Sequence, residues 1–161
     1  MINARSETIA EKPSFRSAFK QRRCLVLADG FYEWKKNGTA KQPHFISLAS
    51  GQAFAMAGLW ETWQDKSSDG PAIETCTIVT QPANAFMQSL HDRMPVILSP
   101  ASGIEWLGND IQKENLPDWL GIVSPEVNLQ AWPVSPLVNK PANDGPECVD
   151  PASSVQKGLF D

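Results

Sequence analysis

Cysteine, histidine and tyrosine are scarce in this chain of 161 residues, which contains three, two and one of them, respectively. The cysteines Cys24, Cys76 and Cys148 are odd in number and show no CxxC spacing, so they predict neither a disulfide framework nor a zinc site. No apolar stretch approaches the roughly 18 residues that a membrane-spanning helix requires. Residues 1–15 lack the apolar core of a secretion signal. The sequence therefore predicts a cytoplasmic protein that binds no metal, needs no cofactor and has no membrane partner.

The charges are distributed unevenly along the chain. Net charge is -4 at pH 7, which taken alone disfavours a nucleic-acid partner. Residues 1–41, however, carry nine basic and four acidic side chains, a net of +5, whereas residues 42–161 carry five basic and fourteen acidic ones, a net of -9. This asymmetry permits one basic face that contacts phosphates while the rest of the surface repels them. A solvated charged surface without a partner is the alternative.

The pattern of apolar and turn residues predicts an α+β domain over residues 1–147, with an antiparallel, barrel-like sheet and peripheral helices. Asn37-Gly38 predicts a tight hairpin between two of the strands. Residues 148–161 are expected to form an irregular tail that becomes disordered toward its end. The predicted strands cover 24–28, 31–34, 44–49, 53–63, 73–80 and 96–98.

Short helices are predicted around this sheet. Two of them cover residues 13–19 and 82–90. In a third, Ser99-Pro100 supplies an N-cap followed by proline at the first helical position. This third helix would place Ile104 and Leu107 on its buried side.

One of the two histidines, His91, lies in the stretch SLHDRMPVILSP, between a predicted helix and a predicted strand. An imidazole titrates near neutral pH, so His91 could carry proton chemistry. The local sequence equally allows a polar residue in a turn before a buried strand. A third interpretation, a metal-dependent nuclease that uses His91 and Asp92, lacks an accompanying cluster of histidines and carboxylates.

A second candidate is Glu33 in the stretch DGFYEWKK. Residues of an extended segment alternate between two faces, and aromatic residues flank this carboxylate on both sides. Burial favours the protonated carboxyl and raises its pKa, which makes a glutamate a competent acid or base near neutral pH. The alternative is an edge-strand glutamate that is exposed to water or paired with Lys35 or Lys36.

A third candidate is the start of the chain, INARSET. Asn3, Arg5 and Glu7 alternate, so an extended backbone would place them on one face. An amide, a guanidinium and a carboxylate together could bind a phosphate or a small polar ligand. A frayed terminus is the alternative. The other histidine, His44, has no obvious partner in the sequence and is interpreted as structural.

Taken in order, these segments resemble one family. The stretches NARSET, RRCLVLADGFYEWKK with KQPHFI, FAMAGLWETW, TIVT, HDRMPVIL and WPVSPLVN are similar to those of the SOS-response-associated peptidase (SRAP) family, the abasic-site processing proteins that shield lesions in single-stranded DNA. The resemblance extends from Asn3 to about Glu147. It implies a single α+β domain with a positively charged groove for single-stranded DNA that contains abasic sites.

The resemblance also implies a reaction. In the family, the nucleophile is the cysteine that directly follows the initiator methionine. Its α-amine forms a Schiff base with the ring-opened abasic aldehyde, and its thiol then closes a thiazolidine ring that leaves a stable protein–DNA crosslink. An autopeptidase activity and steps of the β-elimination type are associated with the same site.

Carried onto this chain, the resemblance assigns roles to six residues. Glu33 shuttles protons, His91 assists ring opening and elimination, and Asn3 orients the reacting end. Arg5 and Arg93 contact phosphates. Thr80 is a polar residue of the DNA groove.

The chain departs from the family pattern at its start. Family members begin Met-Cys-Gly-Arg and continue through a sizeable segment before the asparagine motif, whereas Met1-Ile2 here leads directly into Asn3. The sequence therefore predicts that the N-terminal part with the nucleophile is absent. Two functions follow as alternatives. One is an abasic-site processing enzyme of the DNA damage response, nucleoid-associated when bound to DNA. The other is a non-catalytic fragment that binds single-stranded DNA or a protein partner.

Overall fold

The computed structural model describes residues 1–65, 67, 70–108, 111–112, 114–123 and 127–152. Within these ranges the chain forms nine strands and three α-helices, so the predicted α+β class, a mainly antiparallel sheet core with peripheral helices, is confirmed. The strands are β1 (Asn3–Arg5), β2 (Arg23–Ala28), β3 (Phe31–Asn37), β4 (Ala40–Leu48), β5 (Phe54–Trp63), β6 (Ile73–Pro82), β7 (Arg93–Pro95), β8 (Ile97–Leu98) and β9 (Leu129–Pro133). The helices are α1 (Arg16–Gln21), α2 (Pro100–Leu107) and α3 (Leu116–Val123).

Backbone contacts divide the described chain into two compact units, each with its own sheet. The first unit combines Met1–Ala28, Phe54–Pro82 and the described residues of 93–127. Its strands follow the order β1-β6-β5-β2, with β7 paired to β6 and β8 paired to β5. The second unit combines Asp29–Ala53, Ala83–Asp92 and the described residues of 128–152, with the strand order β3-β4-β9.

The core of the first unit lies between one face of its sheet and the helices. Phe19 of α1 and Trp106 of α2 are almost fully buried against Leu59 and Val79. The indole Nε1 of Trp106 donates to the carbonyl oxygens of Cys24 on β2, at 3.1 Å, and of Gly58 on β5, at 3.2 Å. The buried indole N–H is therefore hydrogen-bonded, and these bonds link α2 to two neighbouring strands.

Helix α2 begins as predicted but buries a different face. Ser99 caps it, and its hydroxyl accepts the backbone N–H of Ser102 at 3.2 Å. The prediction that Ile104 and Leu107 are buried is wrong, since they are 74% and 51% exposed. The helix instead turns Gly103 and Trp106 inward, because Trp106 offers the largest apolar surface.

Strands β3 and β4 form the predicted hairpin at Asn37-Gly38, and Gly38 adopts a positive φ of 60° that suits glycine in a tight turn. The predicted helix over 82–90 is wrong in extent, since only a 3-10 turn at Met87–Ser89 forms there. Strand β6 continues to Pro82 because it pairs with β7. Of the predicted tail, residues 153–161 lie outside the described residues, and Pro151 forms an antiparallel bridge with Val134.

Candidate functional site

Strand β1 holds Asn3 and Arg5 on the first sheet. It pairs in parallel with β6, where Ala4 lies opposite Val79 and is only 1% exposed. Because side chains alternate along a strand, the burial of Ala4 turns the side chains of Asn3 and Arg5 to the other, exposed side. The segment is a paired strand rather than a frayed terminus, and the predicted common face is confirmed for Asn3 and Arg5. The prediction that the extended backbone includes Glu7 is wrong, because β1 ends at Arg5 and Glu7 lies in a turn.

Arg93 and Thr80, both predicted to bind DNA, contact each other next to β1. The guanidinium Nη2 of Arg93 donates to the Thr80 carbonyl oxygen at 2.6 Å and to its hydroxyl at 3.3 Å. The same guanidinium grips the carboxylate of Glu7 with two hydrogen bonds, one of which, from Nη2 to Oε2, is 2.9 Å long. This hydrogen bonding lowers the pKa of Glu7, and partial burial opposes the effect. We refer to Asn3, Arg5, Glu7, Thr80 and Arg93 as the β1 cluster.

Glu33 lies on β3 in the second unit, directly opposite His44 on β4. Tyr32 and Trp34, its neighbours in sequence, point to the other face of the sheet. On that face Tyr32 meets the ring of Phe45, with 5.4 Å between ring centroids, and Trp34 donates from Nε1 to Asn139 at 2.7 Å. The aromatic residues that flank Glu33 therefore do not line its own face.

The carboxyl of Glu33 is half-buried, and this burial raises its pKa. The nearby imidazole of His91 and the backbone N–H of Trp34 oppose that effect, and the charge of Asp92 adds to it. The predicted direction of the pKa shift is confirmed. A carboxyl of this kind is suited to giving and taking a proton near neutral pH.

His91 lies in the loop between the 3-10 turn and β7. Its backbone N–H donates to the Met87 carbonyl at 2.9 Å, and the carbonyl of the next residue, Asp92, accepts from the Ala83 N–H at 3.0 Å. The ring Nδ1 lies 3.1 Å from the Asp92 carboxylate, so a protonated imidazole forms an ion pair there. We refer to Glu33, His44, His91 and Asp92 as the Glu33 cluster. Among the described residues, no group of three or more His, Cys, Asp or Glu could hold a metal ion.

The structure places His44 opposite Glu33, a pairing that the sequence analysis did not consider, and the interpretation of His44 as structural stays a prediction. The hairpin could have predicted this pairing from the sequence. A two-residue turn after Asn37 pairs Asn37 with Ala40, and each step away from the turn gives the next pair, so that Glu33 pairs with His44. The ring Nδ1 of His44 lies 3.1 Å from the Gln42 carbonyl oxygen, which can only accept a hydrogen bond. This contact favours the tautomer with its proton on Nδ1 and a lone pair on Nε2.

The three cysteines lie away from the start of the chain in the sequence and carry free thiols. Cys24 is half-buried on β2, and burial raises the pKa of its thiol. Cys76 is exposed and Cys148 is buried. A raised pKa lowers the thiolate fraction at neutral pH, so Cys24 is a poor nucleophile.

No helix among the described residues is long and apolar enough to cross a membrane.

Comparison with known proteins identifies the family. The family model described as SOS response associated peptidase (SRAP) matches residues 1–141. The chain belongs to the SRAP family. The resemblance inferred from the ordered motifs is thereby confirmed.

Proteins from distant organisms are similar to this chain. It is 44% identical to the abasic site processing protein YoqW of Bacillus subtilis over 93% of its own length and 66% of that relative. It is 34% identical to the abasic site processing protein HMCES of Xenopus tropicalis, over 96% of the chain and 51% of the relative. A crystal structure of a protein from Bacteroides thetaiotaomicron matches 93% of this chain and 65% of its own, with a TM-score of 0.80 and 31% identity. The chain thus spans about two thirds of its bacterial relatives and half of the vertebrate one.

Proposed function

We propose that this SRAP chain binds single-stranded DNA at abasic sites and supplies the acid–base groups of abasic-site processing. The observation that carries the proposal is the half-buried carboxyl of Glu33, whose pKa is raised, beside the imidazole of His91. Its relatives YoqW and HMCES are named abasic site processing proteins, which supports the choice of substrate.

The proposed chemistry requires protons at two steps. An abasic sugar must open from its cyclic form to the aldehyde, and His91 can accept the proton of the anomeric hydroxyl while the ring oxygen gains one. An amine then adds to the aldehyde, and the resulting carbinolamine loses its hydroxyl as water when a proton is delivered to it. A protonated Glu33 can deliver that proton, because its raised pKa keeps it partly protonated nearer to neutral pH than an ordinary glutamate.

In the proposal, the β1 cluster binds and orients the DNA. Arg5 is exposed and can grip a phosphate through two parallel hydrogen bonds. Asn3, on the same face, orients the reacting groups. Thr80 and Arg93, like Asn3 and Arg5, stay predictions as DNA-contacting residues. The guanidinium of Arg93 also binds Glu7 and Thr80 within the protein.

The covalent step sets a limit on what these residues can do. Closing a thiazolidine ring requires a free α-amine and a thiol on adjacent carbon atoms of one residue, as in an N-terminal cysteine. Cys24, Cys76 and Cys148 are internal residues, so none of them can provide that pair. We therefore propose that the 161 residues bind and activate the abasic site, and that crosslinking requires an N-terminal cysteine of the family type.

Binding and covalent chemistry can be measured in the same experiment. Fluorescence anisotropy should detect binding of this chain to single-stranded DNA with one abasic site, and intact mass spectrometry should detect no thiazolidine adduct. A tetrahydrofuran analogue of the abasic site, which has no aldehyde, is the control for covalent chemistry. No binding to abasic single-stranded DNA would refute the proposed function, and a stable adduct would refute the limit on crosslinking.

The role of Glu33 has a separate test. In a chain extended by the Met-Cys-Gly-Arg start and following segment of the family, Glu33→Gln should slow crosslinking by about 10²–10⁴-fold, the range for loss of a general acid. Circular dichroism should show that the variant remains folded. An unchanged crosslinking rate would remove Glu33 from the mechanism.

A further inference from the structure

The imidazole of His91 has a hydrogen-bonding partner in the next residue of the chain. Its Nδ1 lies 3.1 Å from Oδ1 of the Asp92 carboxylate, and a carboxylate can only accept hydrogen bonds. In a neutral imidazole one ring nitrogen carries the proton and the other carries a lone pair. The contact therefore favours a proton on Nδ1 of His91 and leaves the lone pair on Nε2, where it can accept a proton from a ligand.

Backbone hydrogen bonds anchor the loop on both sides of this pair. The His91 N–H donates to the Met87 carbonyl at 2.9 Å, and the Ala83 N–H donates to the Asp92 carbonyl at 3.0 Å. The chain is thus held just before His91 and just after Asp92. The loop therefore brings the imidazole and the carboxylate together before any ligand binds.

Solvent exposure keeps the contribution of this pair to folding small and leaves it open to a ligand. The side chains of His91 and Asp92 are 42% and 83% exposed. Water screens such a pair, so substitution of Asp92 should leave the chain folded. A DNA strand bound over the loop would exclude water, and the same hydrogen bond would then be stronger.

The Asp92 carboxylate also acts on Glu33, the other acid–base residue of the Glu33 cluster. Burial is the main cause of the raised pKa of Glu33, the imidazole of His91 opposes it, and the negative charge of Asp92 adds to it. One carboxylate thus favours a proton on Glu33, the proposed acid, and directs the lone pair of His91, the proposed base.

We propose that Asp92 is a positioning residue, which holds the proton of His91 on Nδ1 so that Nε2 can accept the proton of the anomeric hydroxyl of an abasic sugar. In this step the O–H bond breaks toward Nε2 and the aldehyde C=O bond forms. The bond from the anomeric carbon to the ring oxygen breaks, and that oxygen keeps the electron pair and takes a proton from water. Asp92 neither gains nor loses a proton. The proposal deepens the proposed function and rests on it, whereas the tautomer of His91 can be measured without DNA.

The tautomer can be measured on the 161-residue chain by two-bond ¹H–¹⁵N correlation spectra of the imidazole rings. The measurement is made at about pH 8.5, well above the ordinary pKa of histidine, so that the rings are neutral. We expect the Nδ1–H form of His91 to predominate in the wild type. Asp92→Ala should lower the ratio of the Nδ1–H to the Nε2–H form by about fivefold, because the acceptor is lost. Asp92→Asn should restore most of the ratio, since its amide oxygen still accepts a hydrogen bond.

Two controls accompany the spectra. Asp144→Ala makes the same substitution at an exposed position of the same unit and should leave the ring of His91 unchanged. The ring of His44, whose Nδ1 faces the Gln42 carbonyl oxygen, is an internal reference. A wild-type His91 that is mainly in the Nε2–H form would overturn the proposal, and so would equal ratios in Asp92→Ala and Asp144→Ala.

The effect on the reaction can be measured without a covalent link to the protein. Free L-cysteine traps the aldehyde of an abasic site in single-stranded DNA as a thiazolidine, with loss of one water, and at saturating cysteine the opening of the sugar ring limits the rate. The wild-type chain should accelerate this trapping relative to DNA alone, as followed by mass spectrometry of the oligonucleotide. Asp92→Ala should reduce the acceleration by about tenfold, which is part of the 10²–10⁴-fold that a general base contributes, and Asp92→Asn should reduce it less.

Binding of DNA with the tetrahydrofuran analogue separates positioning from DNA contact. A positioning role predicts that Asp92→Ala binds this DNA at least as tightly as the wild type in fluorescence anisotropy, since the variant lacks a negative charge. Weaker binding with an unchanged trapping rate would show that Asp92 contacts DNA and would overturn the positioning role. If the wild-type chain does not accelerate trapping, the proposed acid–base function fails, and the spectra still decide whether Asp92 orients His91.

Discussion

At the scale of single residues, Glu33 is under two opposing influences. Burial disfavours its charged form, whereas the imidazole of His91 favours it, and burial is the larger effect. The folded chain therefore keeps the Glu33 carboxyl protonated up to a higher pH than the unfolded chain does. Such a group lowers stability at neutral pH and is retained where chemistry needs it.

This balance predicts how stability depends on pH. Because the folded pKa of Glu33 lies above the ordinary value of 4.5, its contribution to stability is complete below pH 4.5 and is lost as the pH rises through the folded pKa. Glu33→Gln removes this dependence. We therefore expect the melting temperature of the wild-type chain, relative to that of the variant, to fall as the pH is raised from about 4 to 8, measured by circular dichroism. A constant difference across that range would contradict a raised pKa.

Gly30 shows a second effect at this scale, because there is no room for a side chain. A Cβ atom at Gly30 would lie 2.1 Å from the ring of Phe45 and 2.7 Å from the carbonyl oxygen of Ile46. We expect Gly30→Ala to lower the free energy of unfolding by about 1–3 kcal/mol, the usual cost of overpacking, as measured by urea denaturation.

Gly103 is the matched control for that substitution. A Cβ atom there would meet only the side chain of Leu25, at 3.5 Å, which is an ordinary contact. Alanine is also favoured over glycine inside a helix by about 1 kcal/mol, so Gly103→Ala should be neutral or stabilising. Equal effects of the two substitutions would show that space at Gly30 is not limiting.

At the scale of secondary structure, α2 is held at its end by Arg23. The guanidinium donates from Nε to the Phe19 carbonyl at 2.7 Å and from Nη1 to the Gly108 carbonyl at 3.0 Å, and it also reaches the Ile111 carbonyl. It lies over the rings of Phe19 and Trp106, 4.6 and 5.3 Å from their centroids. One cation thus satisfies carbonyl groups at the ends of α1 and α2, and burial lowers its pKa.

Removal of this guanidinium should loosen both helices. We expect Arg23→Met to lower the free energy of unfolding by roughly 2 kcal/mol or more, because the carbonyl groups lose charged donors. Arg23→Lys should recover only part of the loss, since an ammonium cannot reach several carbonyls in the plane of a guanidinium. Chemical denaturation measures both, and full recovery in the lysine variant would show that charge alone matters.

Secondary structure also shows where prediction from the sequence succeeds. Asn37-Gly38 predicted the β3–β4 hairpin, because a turn that needs a positive φ requires glycine or a similar residue at that position. The buried face of α2 was not predictable in the same way. Ile104 and Leu107 have the apolar character of core residues. Trp106 is buried instead, because carbonyl groups of the sheet accept hydrogen bonds from its indole N–H. A choice between two apolar faces depends on the partner surface and not on the helix alone.

At the scale of the whole molecule, the uneven distribution of charge makes a net charge of -4 compatible with the proposed DNA partner. Association of an acidic protein with DNA must rely on a few local phosphate contacts, so its salt dependence should be shallow. Arg5 is the exposed cation of the β1 cluster.

The corresponding prediction concerns Arg5. Arg5→Gln should weaken binding to single-stranded DNA and reduce the slope of log K against log salt by about 0.7, the value for one phosphate contact on a single strand. Lys140→Gln, at an exposed position in the acidic remainder of the chain, should leave the slope unchanged. If Arg5→Gln and Lys140→Gln behave alike in an anisotropy titration, Arg5 does not contact a phosphate.

The family and the identity of its candidate residues were determined by the sequence alone, because ordered motifs such as NARSET and HDRMPVIL are properties of the chain itself. The pKa direction of Glu33 also followed from local reasoning, although the aromatic residues invoked for it lie on the opposite face. The Asn37-Gly38 hairpin already determines that His44 lies opposite Glu33, whereas only the tertiary structure brought Glu7 to Arg93, which are 86 positions apart in the sequence. Side chains so distant in sequence meet through the pairing of β6 with β1 and β7, which local residues do not specify.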